Sequence, residues 1–104
     1  MDEELLRKAI AIVEKNMDNV EFSTEQFARE MNMSRSNFYR KIKALSGMSP
    51  NDYLKALRMN KAAELIQGGT RISEVAAQVG FTSSSYFAKC FQKQFGVLPK
   101  DFVS

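Results

Sequence analysis

The chain has 104 residues, 44% of them hydrophobic, a length suited to one domain and a composition unlike that of a disordered chain. It holds no histidine and one cysteine, which removes the commonest general base and zinc ligand and every Ser–His or Cys–His nucleophile pair. The net charge of +3 is uneven: residues 1–22 carry three basic against six acidic side chains, and residues 23–104 carry twelve against six. The larger part therefore suits a polyanionic partner.

The first expected helix covers residues 3–17, where Leu5, Leu6, Ile10, Val13 and Met17 recur at three- and four-residue steps. Its start, MDEELLRK, is acidic and unlike a signal peptide, and no apolar run approaches the ~20 residues of a membrane span. A cytoplasmic location without membrane contact by this segment is expected. Asn16 to Val20 reads as an exit loop.

A second helix is expected from Ser23, whose hydroxyl can cap it, with Gln26 placed to complete a capping box. Phe27, Ala28 and Met31 should face inward, and Asn32 should close the turn in the left-handed region. The third helix should run from Ser34, a natural cap, to about Ser46, with Gly47 as its stop. Phe38, Ile42 and Leu45 form its inner stripe. Ser36, Asn37, Tyr39, Arg40 and Lys43 fall outward, and no acid interrupts Arg35, Arg40, Lys41 and Lys43.

Ser49-Pro50 opens a fourth helix that should reach Gln67 before Gly68-Gly69. Its apolar positions form two stripes, Leu54, Leu57 and Leu65 on one and Met59, Ala62 and Ile66 on the other. A surface helix ordinarily shows one stripe, so this helix is expected to be shared by two bodies. Units of ~45 residues are marginal alone and need such a shared element. A short helix from Ile72 to Val79 follows, with Val75, Ala76 and Val79 inward and no clear N-cap. After the Gly80-Phe81 turn, Thr82 or Ser83 should cap a helix to Phe95, cored by Phe87, Phe91 and Phe95. Residues 98–102 open a last helical turn that looks cut short or poorly anchored. The six methionines read as core filler, and Cys90 as half-buried.

Two stretches of this series repeat. TEQFAREMNMSRSNFYRKIKALSGMSPND at 24–52 parallels ISEVAAQVGFTSSSYFAKCFQKQFGVLPKD at 72–101. Ala28 pairs with Ala76 at an offset of 48, and after the turn the offset is 49: Ser34 with Ser83, Phe38 with Phe87, Gly47 with Gly96, Pro50 with Pro99. Each copy is a helix, a tight turn with Asn or Gly, and a second helix. Such a pair can place its second helix in the major groove of duplex DNA.

Two units reading successive groove segments need their second helices ~34 Å apart, and a connecting helix of about 17 residues, ~25 Å long, has that scale. Ser36, Asn37, Tyr39 and Arg40 are the candidate base readers of the first copy, with Ser84, Ser85 and Lys89 in the second. Arg40 stands out because its fork matches guanine. Ser34, Arg35, Lys43, Thr82, Ser83 and Lys93 are placed for phosphates.

A basic helix alone is usually just a solvated face. Its position in a turn motif that occurs twice is what points to DNA. The alternative is a protein-interaction module whose basic helix docks an acidic partner. An enzyme is not expected, since Asp and Glu are scattered at helix starts and surfaces, and neither a cofactor nor a metal is expected.

Residues 33–66 and above all ISEVAAQVGFTSSSYFAKCFQKQFGVLPKDF at 72–102 resemble the AraC/XylS family of bacterial transcription regulators, in its C-terminal DNA-binding domain. The resemblance implies an all-α fold: two helix-turn-helix subdomains joined by a long central helix, about seven helices in all. The subdomains would be residues 1–49 and 68–104, joined by 50–67. It implies base contacts at Ser36, Tyr39, Arg40, Ser84, Ser85 and Lys89. The serines are short readers, and the second copy of the family can serve more for phosphate contact. The chain also stops early for the family's last helix.

The SRSNFYRKIKALSG segment and the acidic first helix are similar to output domains of hybrid two-component sensors. That implies a larger regulator with an attached sensing or receiver domain, RNA polymerase as a partner, and a whole protein that can be membrane-tethered. A small stand-alone regulator is the alternative.

Overall fold

The computed structural model describes residues 2–102. Every regular element among them is helical: α1 (Asp2–Lys15), α2 (Thr24–Glu30), α3 (Arg35–Ser46), α4 (Pro50–Gln67), α5 (Ile72–Gln78), α6 (Ser84–Phe95) and a closing 3₁₀ turn, Pro99–Asp101. The all-α expectation holds. The chain divides into two compact units. One takes the residues up to Asn16 with Glu21–Leu57, and the other takes Met17–Val20 and the residues from Arg58 onward.

In the first unit, α1 ends two residues before the expected limit because Asn16 turns back on it. The Asn16 backbone N–H and Nδ2 both donate to the Ile12 carbonyl, the latter at 2.8 Å. The line that enters the core runs through Ala9 and Val13, one helical turn apart and 0% and 1% exposed. Ile10, expected on the inner stripe, is 40% exposed, because it lies about 100° round the helix from Ala9. Phe22, Phe27 and Phe38 stack through the core with ring centroids 5.6 and 4.7 Å apart.

The serine cap and the left-handed turn are as expected, while the Gln26 side chain, expected to complete a capping box, bonds to Glu30. Ser23 accepts from the Gln26 N–H at 3.1 Å, and the Gln26 side-chain amide donates to Glu30 Oε2. Asn32 has φ +59°. Its N–H bonds to the Arg29 carbonyl and the Met33 N–H to the Ala28 carbonyl, both at 3.0 Å. This pair of bonds is a Schellman motif. Ser34 then caps α3 by accepting from the Asn37 N–H at 3.2 Å, and Gly47 ends α3 at φ +77°. Phe38 and Ile42 are buried and Leu45 is half-buried.

The second unit repeats the construction. α5 begins after Arg71 without a side-chain cap, in keeping with the absence of a capping residue in the sequence. Gly80 takes the place of Asn32 at φ +84°. Its N–H reaches the Ala77 carbonyl at 3.1 Å, and the Phe81 N–H reaches the Ala76 carbonyl at 2.8 Å. Thus Ala28 and Ala76, paired by the repeat, receive the same bond.

The extra residue that changes the repeat offset is Thr82, inserted between this turn and the cap. Ser83 is the cap, accepting from the Tyr86 N–H at 3.1 Å. Phe87 and Phe91 are buried in a cluster with Val75, Ala76, Val79 and Phe81. The final turn, expected to be poorly anchored, is held: Pro99 is buried, and the Phe102 ring packs 5.1 Å from Phe91 and 5.4 Å from Phe95. An aromatic ring gives so short a segment enough buried area to dock.

α4 has the expected limits. Tyr53 and Leu54 are buried in its first half, in the first unit; Met59, Ala62, Ala63 and Ile66 are buried in its second half, in the second unit. Leu65 was expected beside Leu54 and Leu57. It packs instead on the cluster of Met59, Ala62 and Ile66, because burying Ala62 and Ile66 carries their neighbour inward. The apolar face therefore changes along the helix as well as around it.

Candidate nucleic-acid interface

α3 presents a polar, cationic face. Arg35, Ser36, Asn37, Tyr39, Arg40, Lys41 and Lys43 are all exposed, while Phe38 and Ile42 anchor the other side. Tyr39 keeps 49% of its surface open. Of the expected readers, Ser36, Asn37, Tyr39 and Arg40 thus share one accessible stretch. Asn37 and Arg40 are also joined to each other, Arg40 Nη2 donating to Asn37 Oδ1.

The expected phosphate contacts differ in how they are engaged. Ser34 accepts a backbone N–H through its oxygen and retains a hydroxyl proton to donate. Arg35 Nη1 lies 3.1 Å from Glu25 Oε1, with both side chains largely in water. A pair so exposed contributes little to stability and can give way to a phosphate. Lys43 projects from the last turn of α3.

A recess of about 260 Å³ opens beside this face, lined by Thr24, Ala28, Arg35, Phe38, Tyr39, Ser49, Pro50 and Asn51. Thr24, Ser49 and Asn51 were missed in the sequence. The available signal was a hydroxyl or amide at each helix start, and only folding brings those starts beside Arg35 and Tyr39. The Ser49 hydroxyl also accepts from the Asp52 N–H at 3.2 Å.

In the second unit, Thr82, Ser83, Ser84, Ser85, Lys89 and Lys93 are all exposed. Tyr86 is 46% exposed, with its ring 5.7 Å from Phe81, so it is part anchor and part surface. The face is held at its far end by Gln94, which donates to Asn60 of α4 at 2.8 Å. Cys90 is half-buried against the core cluster. The two reading faces are unequal in charge: four cations on α3, two on α6.

A buried arginine also went unread in the sequence. Arg58, 8% exposed, donates from Nη2 to the Asn19 carbonyl at 2.9 Å. Burial pushes its guanidinium below its ordinary pKa, yet an arginine remains charged. It stands one helical turn from both Leu54 and Ala62, a spacing that marks an inward position. Among the described residues no group of His, Cys, Asp and Glu could hold a metal ion. No helix among them is long and apolar enough to cross a membrane.

Two turn motifs of one construction, each ending in an exposed basic helix and set on one long helix, define a helix-turn-helix protein. The helix-turn-helix domain family matches residues 27–104, and the chain belongs to that family in its AraC type. It is 42% identical over 103 residues to Histidine kinase P4 of Formosa agariphila, covering 98% of this chain and 8% of that protein. Other curated relatives are matched over 26 to 34% of their length.

Among solved structures, a transcriptional regulator from Chromobacterium violaceum, described as of the AraC-type DNA-binding domain-containing proteins, superposes with a TM-score of 0.85 at 27% identity. That match covers 96% of this chain and 89% of that one. The DNA-binding domain of AdpA, a global transcriptional factor solved with a target DNA, gives 0.81 at 27% identity, covering 93% and 87%.

Proposed function

We propose that this chain binds specific duplex DNA and regulates transcription, with α3 and α6 entering successive major-groove segments. The observation that carries the reading is the repeated motif: in both copies the second helix exposes its cationic side and buries phenylalanines on the other, Phe38 in α3 and Phe87 and Phe91 in α6. A major groove admits one α-helix, and the lysines and arginines beside it neutralise phosphates. Arg40 reads a base through its fork, with Ser36, Asn37 and Tyr39 beside it. Ser84, Ser85 and Lys89 form the weaker reader. Ser34, Arg35, Lys43, Thr82, Ser83 and Lys93 hold the backbone. Thr24, Ser49 and Asn51, on the recess beside Arg35, add to that hold.

The likeness to a histidine kinase supports a wider reading. The chain serves as the cytoplasmic output domain of a larger signal-responsive regulator of the two-component type, acting with RNA polymerase and an attached sensing or receiver domain. Its role is binding, not catalysis. A titration with random duplex at rising salt tests the reading. Binding at low salt that weakens steeply with salt supports it. No binding at low salt favours a module that docks an acidic protein.

A further inference from the structure

We infer that Asn37 is the positioning residue of Arg40 and not a reader of adenine, so that this pair on α3 presents only donors to DNA. The inference deepens the DNA reading above and rests on it. Arg40 Nη2 donates to Asn37 Oδ1, three residues back along the same exposed face. An asparagine that reads adenine needs both ends of its amide at the base, Oδ1 accepting from N6 and Nδ2 donating to N7. Here Oδ1 is turned along the helix toward a cation. The base of the side chain is steadied as well, because the Asn37 backbone N–H is held by the Ser34 hydroxyl at 3.2 Å.

What the pair offers outward is a set of N–H donors: Asn37 Nδ2, and Arg40 Nε, Nη1 and the remaining hydrogen of Nη2. Guanine alone presents two adjacent acceptors, N7 and O6, in the major groove; adenine alternates acceptor and donor. The bound site therefore has guanine at the Arg40 position. The base beside it, facing Asn37, needs only an acceptor, which guanine, thymine and adenine N7 all offer, so adenine loses the advantage a two-ended amide would give it there. A charge-assisted bond also restrains the long arginine before binding, which lowers the ordering cost when it meets the base. In the second copy Tyr86 and Lys89 stand at the equivalent positions, and the Tyr86 ring lies against Phe81.

Selection of bound sites from random duplex, run on the wild type, Asn37→Ala and Arg40→Ala, tests this. Total affinity for random duplex at low salt is measured alongside. The wild type should select guanine at the Arg40 position, with no preference for adenine beside it. Asn37→Ala should weaken the preference for that guanine about tenfold although Arg40 is intact. Arg40→Ala should lose the guanine and gain adenine at the neighbouring position, because Asn37 is released. A clear preference for adenine facing Asn37 in the wild type, or an unchanged guanine preference in Asn37→Ala, overturns the pairing while leaving DNA binding in place. If the wild type fails to bind duplex at low salt, the DNA reading falls and the pairing falls with it.

Discussion

The Arg58 guanidinium fills the space beneath Gly80: a Cβ built on Gly80 would lie 2.8 Å from Arg58 Cζ, 2.9 Å from its Nη2 and 2.8 Å from the Met17 carbonyl oxygen. Gly80 is thus required twice over, by a positive φ and by the arginine packed against the turn. Asn32 at the equivalent turn meets the backbone demand with a side chain. Gly80→Ala should cost about 2–4 kcal/mol, combining left-handed strain with overpacking. Asn32→Gly should change stability by less than about 1 kcal/mol. Because two of the three close atoms belong to Arg58, Gly80→Ala should cost about 0.5 kcal/mol less, or better, in an Arg58→Ala background. Urea denaturation of the four proteins of this cycle, with Asn32→Gly beside them, gives these values; strict additivity would mean that the arginine does not confine the turn.

Ser34 and Ser83 each cap the second helix of a motif. Replacing either by alanine should lower stability by about 1 kcal/mol. Since Thr82 is exposed and is not the cap, Thr82→Ala should leave stability within about 0.5 kcal/mol of the wild type. Thermal unfolding of the three variants distinguishes them.

Arg40 and Lys43 should separate base reading from backbone contact. Arg40→Ala should cost about 1–3 kcal/mol on a selected site and much less on random duplex. Lys43→Ala should weaken both alike and reduce the slope of log affinity against log salt by roughly one. Fluorescence anisotropy over a salt series measures both. Equal losses on the two duplexes for Arg40→Ala would remove it from base reading.

Tyr53 sets an alkaline limit. Burial raises its phenol above its ordinary value of 10.0. Below the unfolded value the phenol is protonated in both states and the stability is fully present. As pH rises past about 10, the unfolded chain releases the proton first, so stability falls until the folded pKa is passed. Tyr53→Phe should flatten that decline. Denaturation at pH 8 and in the 10–11 range, for both proteins, checks it; parallel curves would assign the loss elsewhere.

Much of this molecule was legible in its sequence because it rests on local chemistry. The limits of α3 and α4, the serine caps and the left-handed Asn32 and Gly80 depend on a few neighbouring residues. The outward placement of Ser36, Asn37, Tyr39 and Arg40 follows from helical periodicity, as does the unequal charge of the two reading helices.

Tertiary packing decided the rest. Periodicity names a stripe but not its exact bearing, so the inward position falls on Ala9 where Ile10 is expected, and Leu65 packs with Met59, Ala62 and Ile66 instead of sharing a stripe with Leu54 and Leu57. Nothing local announces that Phe102 closes over Phe91 and Phe95. Nor does it announce that Arg58 lies beneath a turn 22 positions on, or that Thr24, Ser49 and Asn51 border one recess with Arg35. Those relations join residues distant in the chain, and they exist only once burial of apolar surface has brought the helices together.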